Sequence, residues 1–264
     1  MDNLAMRSTD DTDALIASRG WALFANVISS QMLERLRRDS ERLYALRREA
    51  QIRAGMTANM EGLAHHALGE NSSFDDFVAD LPLYGEIERY FAGKCILLNF
   101  GATLHPPGVS AYTLKPHRDV RSFSNGYRLS LNMLVMLDDF TVENGATLLL
   151  DGSHRVEAQP DRESFERHAK HVVGRAGDIL LFDSLLVHSG APNRSSALRR
   201  ALTLCFGRPF MKPHMDWPRF LPQKLERDLT PCARQLLGYD ARVPASLEEY
   251  FVPPEQWTFK ADQR

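Results

Sequence analysis

The first ninety residues carry apolar side chains mainly at helical spacing. The stretch "TDDTDALIASRG" predicts a short helix that stops at Gly20, and "WALFANVI" after it predicts a strand. From Ser29 or Ser30 a much longer helix is predicted to run to Gly55, with its Arg and Glu residues forming a solvated face. Its apolar positions are Met32, Leu33, Leu36, Leu43 and Leu46. "LPLYGEIERYFAG" predicts a further helix, whereas residues 55–80, which include His65 and His66, are polar and irregular.

The pattern changes after residue 93 to short apolar runs separated by Gly, Pro, Asn and Asp. The runs are "KCILLNF", "YTLKPH", "RLSLNMLVML", "ATLLLD", "HVV", "DILLFDSLLVH" and "RRALTLCFG". Runs of this length with turn residues between them are typical of antiparallel strands in a sandwich or barrel. We therefore predict one domain over residues 1–264, with a helical region at about 1–93, a jelly-roll-like core at about 94–208 and a tail at about 209–264 that holds a late helix near "PCARQLLGYD".

Composition narrows the class of protein. With 264 residues and 44% apolar composition the chain can bury a sizeable core, and a net charge of −2 gives no electrostatic reason to expect a nucleic-acid or membrane partner. Three widely spaced cysteines without a C-x-x-C motif argue against a disulfide framework or a zinc ribbon. The N-terminal twenty residues lack an apolar leader core, and no run approaches a membrane span. These features indicate a soluble, cytoplasmic protein.

One short stretch, "LKPHRDVRSF", suggests chemistry. It places His117 and Asp119 two residues apart, and on a strand such residues share a face. A second histidine, His188, ends the later run "DILLFDSLLVH". Two imidazoles and one carboxylate form the facial triad that binds Fe(II) with open coordination positions. A lone His-x-Asp pair is more often only a hydrogen-bonded or surface pair. Further residues are therefore needed to favour a metal site over that interpretation.

An arginine eleven residues after His188 favours the metal site. Arg199 opens the run "RRALTLCFG", and strand alternation places Ala201, Thr203 and Cys205 on its face. Small side chains above an arginine leave room for a short dicarboxylate, whose carboxylate a guanidinium can bind with two parallel hydrogen bonds. The same alternation puts Arg200 on the opposite face. Without the triad, Arg199 would be interpreted as an ordinary cation at the edge of a strand.

Taken together, "HRD", "LNMLVMLDDFTVENGATLLLDGSHR" and "GDILLFDSLLVHSGAPNRSSALRRAL" resemble the phytanoyl-CoA dioxygenase (PhyH) family of Fe(II)/2-oxoglutarate-dependent oxygenases over roughly residues 10–210. The resemblance implies a mainly β fold with flanking α-helices around a double-stranded β-helix (jelly-roll, cupin-like) core. It implies Fe(II), 2-oxoglutarate and O2 as cofactor and cosubstrates. By the family's motifs the iron ligands and catalytic residues would be His117, Asp119 and His188, and the cosubstrate would contact Arg199, Asn99 and Asn132.

The resemblance also bears on the reaction. Halogenases that resemble this family lack the carboxylate ligand, so the presence of Asp119 favours hydroxylation of an aliphatic C–H bond with release of succinate and CO2. Related enzymes also desaturate, epimerise or close rings. "LLLDGSHR" departs from the family's usual Pro-Gly-Ser-His, since Asp151 replaces the proline; this changes a turn and no ligand, and His154 is predicted to be structural.

Two other classes of protein are also compatible with this sequence. A cupin-like metal isomerase that does not use 2-oxoglutarate would keep the histidines but would not need Arg199, and a non-catalytic jelly-roll binding domain would need no metal ligands. A small-molecule substrate is expected, but no basic cluster indicates a coenzyme A thioester, so the family name does not give its identity. A small polar metabolite, a saccharide-pathway intermediate and a natural-product precursor are all compatible with the sequence. Residues 55–80, with His65 and His66, and a tail segment with Lys212, His214 and Trp217 are candidate pocket walls.

Overall fold

The computed structural model describes residues 9–56, 60–109, 112–222, 226 and 228–263. Residues 1–8, which form part of the N-terminal segment predicted to lack a leader, lie outside this range. The helices are α1 (Thr9–Arg19), α2 (Ser30–Arg53), α3 (Ser73–Ala79), α4 (Tyr84–Phe91), α5 (Arg162–His168), α6 (Trp217–Phe220), α7 (Pro231–Leu236) and α8 (Leu247–Tyr250). The strands are β1 (Trp21–Phe24), β2 (Leu63–His65), β3 (Ile96–His105), β4 (Ser130–Met136), β5 (Leu148–Leu149), β6 (Lys170–His171), β7 (Ile179–Asp183), β8 (His188–Ser189) and β9 (Arg199–Gly207).

The strands form two antiparallel sheets. The larger sheet has the order β1-β7-β4-β9-β3-β2, and the smaller has the order β6-β5-β8. This architecture confirms the predicted fold class, a β-rich core with flanking helices. The larger sheet includes β1 and β2, which lie before residue 94 in the region predicted to be helical. Helices and strands of this sheet therefore alternate along the chain.

The helices cover one face of the larger sheet. On α2, the buried residues Leu33, Leu36 and Leu43 pack in the same core as Leu202 and Leu204 of β9. Each fully buried leucine contributes about 1.5–3 kcal/mol of transfer free energy. Ser29 caps α2 by accepting a hydrogen bond from the Met32 amide, as the sequence predicts.

The other face of the larger sheet packs a separate apolar cluster at one end and carries polar side chains at the other. The apolar end includes Leu134, Met136 and Phe182. Because residues directly opposite one another in antiparallel strands share a face, the strand register decides which polar side chains meet there. The candidate site lies on this face.

Three local predictions from the sequence were wrong. The segment 55–80 is not wholly irregular, since it contains β2 and α3; both are too short for their periodicity to stand out. "YTLKPH" is not a strand: a 3-10 turn covers Tyr112–Leu114, and only an isolated bridge follows at His117, next to a proline that has no N–H to donate. "DILLFDSLLVH" is two strands, β7 and β8, separated by a turn.

Among the helices within the described ranges, none combines the length and the apolar character that crossing a lipid bilayer requires.

Candidate metal and cosubstrate site

A backbone bridge between His117 and His188 brings the two imidazoles together. Each residue's N–H donates to the other's carbonyl oxygen at 3.0 Å, so the two residues form a hydrogen-bonded antiparallel pair. Paired residues of this kind project their side chains on the same side. The ring centroids accordingly lie 4.3 Å apart, with the planes tilted by 48°.

Asp119 completes the group from the same segment. Its backbone N–H donates to the Ser184 carbonyl at 3.1 Å, which ties the segment to the turn between β7 and β8. One carboxylate oxygen lies 3.6 Å from Nε2 of His117 and the other lies 3.7 Å from Nε2 of His188. One donor atom from each of these three residues lies within 4.8 Å of the other two, which is close enough for a single metal ion.

Backbone carbonyls set the tautomers of both imidazoles. Nδ1 of His117 lies 2.8 Å from the Lys115 carbonyl, and Nδ1 of His188 lies 3.0 Å from the Leu186 carbonyl. A carbonyl only accepts, so each Nδ1 carries a proton, and in the neutral imidazole Nε2 keeps its lone pair. The two Nε2 atoms are the ring nitrogens that face the Asp119 carboxylate, at 3.6 Å and 3.7 Å. With a metal bound, the donor set would be two neutral imidazoles and one carboxylate, which fits Fe(II).

The electrostatics of the site favour an ionised carboxylate. Burial by itself raises the pKa of Asp119, but His188, His117 and the amide of Asn132 outweigh it, and the net pKa lies below the usual value. The Asn132 amide donates to the carboxylate at 2.6 Å. Burial lowers the pKa of His188, so this imidazole is neutral near pH 7 and able to bind a metal.

Arg199 is a buried cation at the start of β9. It is 5% exposed, its Nη1 donates to the Gly145 carbonyl at 2.6 Å, and its guanidinium lies 4.2 Å from the centroid of the Phe140 ring. Its Nε is buried without a hydrogen-bond partner, and within the described chain no carboxylate lies at ion-pairing distance from it. Burial lowers its pKa to about 10, although Asp138 acts in the opposite direction. A buried guanidinium with an unused donor fits an anionic ligand.

The predicted alternation of β9 is confirmed. Arg200 lies on the helix-facing side, where it pairs with Asp138 at 2.9 Å and with Glu41 of α2 at 2.7 Å. Arg199 lies on the opposite side, next to His105, its partner across the β3–β9 ladder. Nε2 of His105 lies 2.9 Å from the Ala191 carbonyl, and burial followed by the charge of Arg199 lowers its pKa. Sequence reasoning missed His105, since a lone histidine at a strand end carries no signal.

A polar row crosses the sheet beside the triad. Asn99 and Asn132 are both register partners of Cys205, on its two neighbouring strands, so all three side chains share the site face. Asn132 contacts Asp119 directly. The side-chain oxygen of Asn99 is buried without a hydrogen-bond partner in the described chain. Burial, followed by the charge of Asp119, raises the pKa of the Cys205 thiol to about 12, so the thiol is protonated near pH 7.

Comparison with known families identifies this arrangement. The family model described as "Phytanoyl-CoA dioxygenase (PhyH)" matches residues 16–201, which is more than half of the chain. The chain belongs to the PhyH family. Enzymes of this family use Fe(II), 2-oxoglutarate and O2, and the His-Asp-His group and the buried arginine described above are chemically suited to that set.

Individual proteins and a solved structure resemble this chain over part of its length. Uncharacterized protein Rv1501 of Mycobacterium tuberculosis is 35% identical over 147 residues, 56% of this chain and 54% of that protein. Dioxygenase trt7 of Aspergillus terreus is 34% identical over 154 residues, 54% of this chain and 51% of that protein. This chain thus spans about half the length of the curated relatives it matches. The crystal structure of the epimerase SnoN in complex with Fe3+, alpha ketoglutarate and nogalamycin RO shares the fold, with a TM-score of 0.57 at 16% identity over 76% of this chain and 83% of that one.

The histidines and the tryptophan that the sequence suggested as pocket walls lie in different places. His65 lies on β2 opposite Gly101, which puts it on the site face of the sheet. His66 has a left-handed backbone and packs edge-on against Trp217, which is buried and donates to the Leu97 carbonyl. His214 is exposed. Of these, only His65 lies in the register of the site face.

Asp151, which stands where the family usually has a proline, makes two side-chain contacts. The Asp151 carboxylate accepts a hydrogen bond from the Trp21 indole at 2.6 Å and pairs with Lys170 at 2.9 Å. It therefore ties the turn after β5 to β1 and β6. His154, in the same turn, lies with Nε2 3.3 Å from the Ala17 carbonyl of α1, a structural contact.

Proposed function

We propose that this chain is an Fe(II)- and 2-oxoglutarate-dependent dioxygenase that hydroxylates an aliphatic C–H bond of a small molecule, with succinate and CO2 as co-products. The observation that carries the proposal is Arg199, a buried cation with no carboxylate at ion-pairing distance in the described chain. It lies on the sheet face of Asn132, whose amide contacts Asp119 of the His-Asp-His group. A metal site alone would not require such an arginine.

In the proposed site, His117, Asp119 and His188 hold the iron through two Nε2 atoms and the carboxylate. The bound iron, with 2-oxoglutarate and O2, supplies the oxidant that a C–H bond needs. Three protein ligands leave the remaining coordination positions open to cosubstrate and O2.

Arg199 would bind the distal carboxylate of 2-oxoglutarate and so orient its keto acid end toward the iron. The small residues Ala201 and Thr203 follow Arg199 on the same face and leave space for this short dicarboxylate. Asn132 would keep the Asp119 carboxylate ionised and correctly turned, which is a different role from the cosubstrate contact suggested by the sequence. Asn99 remains a candidate cosubstrate or substrate contact because its buried amide oxygen has no partner in the described chain.

The direct test is oxygen-dependent succinate formation. Purified protein with Fe(II) and 2-oxoglutarate should form succinate in air and none under anaerobic conditions, even without the true substrate. His188→Ala and Asp119→Ala should abolish this turnover, while His168→Ala, an exposed histidine on α5, serves as the matched control and should retain it. Succinate formation that is unchanged in either ligand variant would refute the assigned site.

The outcome of the oxidation needs a separate measurement. Hydroxylation transfers an oxygen atom to the substrate, so 18O2 should label the product, whereas epimerisation, the activity named for SnoN, leaves the product mass unchanged. A metalloenzyme of the isomerase class would bind metal but show no binding of 2-oxoglutarate by calorimetry. Screening candidate metabolites for stimulated succinate release then identifies the substrate.

A further inference from the structure

Arg118 lies between two of the proposed metal ligands in the sequence, and its guanidinium contacts a different part of the chain. The residue is 4% exposed. Its Nη1 donates to the Glu157 carbonyl at 2.9 Å, and its Nη2 donates to the Ser153 carbonyl at 2.8 Å and to the Val156 carbonyl. These acceptors all belong to one short segment, residues 153–157, called here the 153–157 turn. Arg118 therefore fastens the His117–Asp119 segment to that turn.

The same turn also holds the segment of the third ligand. The Val187 N–H, one residue before His188, donates to the Ser153 hydroxyl at 2.8 Å. Nearby, the Leu150 N–H donates to the Val187 carbonyl at 3.0 Å. Ser153 thus accepts from Arg118 through its carbonyl and from Val187 through its hydroxyl, so a single residue joins both ligand-bearing segments.

This connection matters because the His117–Asp119 segment has little regular structure of its own. It follows a 3-10 turn, forms only an isolated bridge to His188, and gains two further bonds to the Ser184 carbonyl from the amides of Asp119 and Val120. These backbone bonds go to two separate places, His188 and Ser184, and do not form a continuous ladder with one neighbouring strand. Side chains add further anchoring: the Asn132 amide holds the Asp119 carboxylate, and the buried guanidinium of Arg118 holds the middle of the segment.

We propose that Arg118 and Ser153 are positioning residues that set the spacing between the two ligand-bearing segments and thereby the affinity of the metal site. The inference rests on the proposed function, since it presupposes that His117, Asp119 and His188 bind metal. Neither residue belongs to the group of proposed ligands. They act through the backbone that carries the ligands, as residues hydrogen-bonded to metal ligands do in other metal sites.

The charge of Arg118 allows the two possible roles to be separated. A cation next to a divalent metal site repels the metal, so a purely electrostatic role predicts that Arg118→Met tightens metal binding. A positioning role predicts the opposite, because the methionine cannot donate to the three carbonyls. Arg118→Lys keeps the charge but loses the planar fork that reaches several acceptors, and a positioning role predicts weaker binding here too.

The experiment is a Co(II) titration of the metal-free protein, followed by calorimetry and by the visible spectrum of bound Co(II), which reports coordination geometry. For Arg118→Met and Arg118→Lys we expect the Kd to rise at least about tenfold with a changed spectrum, and for Ser153→Ala we expect a rise in the same direction. Arg47→Met is the matched control, because Arg47 also donates to two backbone carbonyls, those of His65 and His66. Its Kd should equal that of the wild type.

Folded variants, checked by circular dichroism, that bind Co(II) with unchanged or tighter Kd would overturn the proposal. If Arg118→Met does not fold, Arg118→Lys and Ser153→Ala decide it by the same criterion. Failure of all three to fold would also overturn it, since the two residues would then be required for the fold itself. A wild-type protein that binds no Co(II) would instead refute the metal site of the proposed function.

Discussion

Replacing Arg199 with methionine should weaken ligand binding strongly and change the free energy of unfolding only slightly. In the ligand-free protein, burial lowers the pKa of Arg199 from 12.5 to about 10. At about 1.4 kcal/mol for each pH unit, this difference corresponds to about 3 kcal/mol by which the site disfavours the cation. Methionine removes that penalty but also loses the charge-assisted hydrogen bond to Gly145, worth about 1.5–3 kcal/mol, and the contact with Phe140, worth about 0.5–2 kcal/mol. The two effects nearly cancel, so we expect the free energy of unfolding to change by no more than about 2 kcal/mol.

The affinity for 2-oxoglutarate should fall in the same variant. A carboxylate bound by a guanidinium forms two charge-assisted hydrogen bonds, each worth about 1.5–3 kcal/mol. Loss of both corresponds to at least about 3 kcal/mol, or a Kd at least about a hundredfold higher. A residue kept for its ligand is expected to add little to stability in the ligand-free state, so a large loss of affinity without a large loss of stability is the signature of such a residue.

Two measurements on one pair of variants test this. Urea unfolding followed by circular dichroism gives the free energy of unfolding, and calorimetric titration of the Mn(II)-loaded protein under nitrogen gives the Kd of 2-oxoglutarate. Arg200→Met is the control on the same strand, since Arg200 faces the helices and pairs with Asp138 and Glu41. We expect it to lower the free energy of unfolding by about 1 kcal/mol and to leave the Kd unchanged.

A fall of several kcal/mol in the stability of Arg199→Met, together with an unchanged Kd, would refute the reasoning. Arg199 would then hold the Gly145 loop in place and would not be a cosubstrate residue.

Three further outcomes are expected. Asn132→Ala removes the donor to the Asp119 carboxylate and should weaken Mn(II) binding about tenfold, measured by electron paramagnetic resonance; an unchanged affinity would contradict its supporting role. Asp151→Ala removes the acceptor of Trp21 and Lys170 and should lower the free energy of unfolding by about 1–2 kcal/mol without altering Mn(II) affinity. The metal-free protein should lose stability as the pH falls below about 6.5. Burial lowers the folded-state pKa of several histidines that are not proposed ligands, so the unfolded chain binds more protons in that range. Urea unfolding at about pH 7.5 and about pH 5.5, about one unit either side of 6.5, measures this loss, and two coinciding curves would contradict it. These histidines are His65, His66, His105 and His154.

The sequence alone determined those features that repeat or that belong to a spaced motif. The long helix α2 and strand β9 were predictable because each carries many residues in one clear period, and burial of one face enforces that period. The same alternation is sufficient to place Arg199 and Arg200 on opposite faces of β9. The triad residues were predictable because their types and order matched a family pattern, and the structure brings them within 4.8 Å of one another.

Only the tertiary structure decided how these residues are held. The His117–Asp119 segment looked like a strand, yet its place is set by one bridge to His188 and by the guanidinium of Arg118. Contacts of this kind join residues far apart in the chain, such as Ser153 to Arg118, and leave no local period in the sequence. The burial of Arg118 and the lack of a hydrogen-bond acceptor for Nε of Arg199 in the described chain also depend on tertiary packing. The free energy of a charged side chain is set by the groups that surround it.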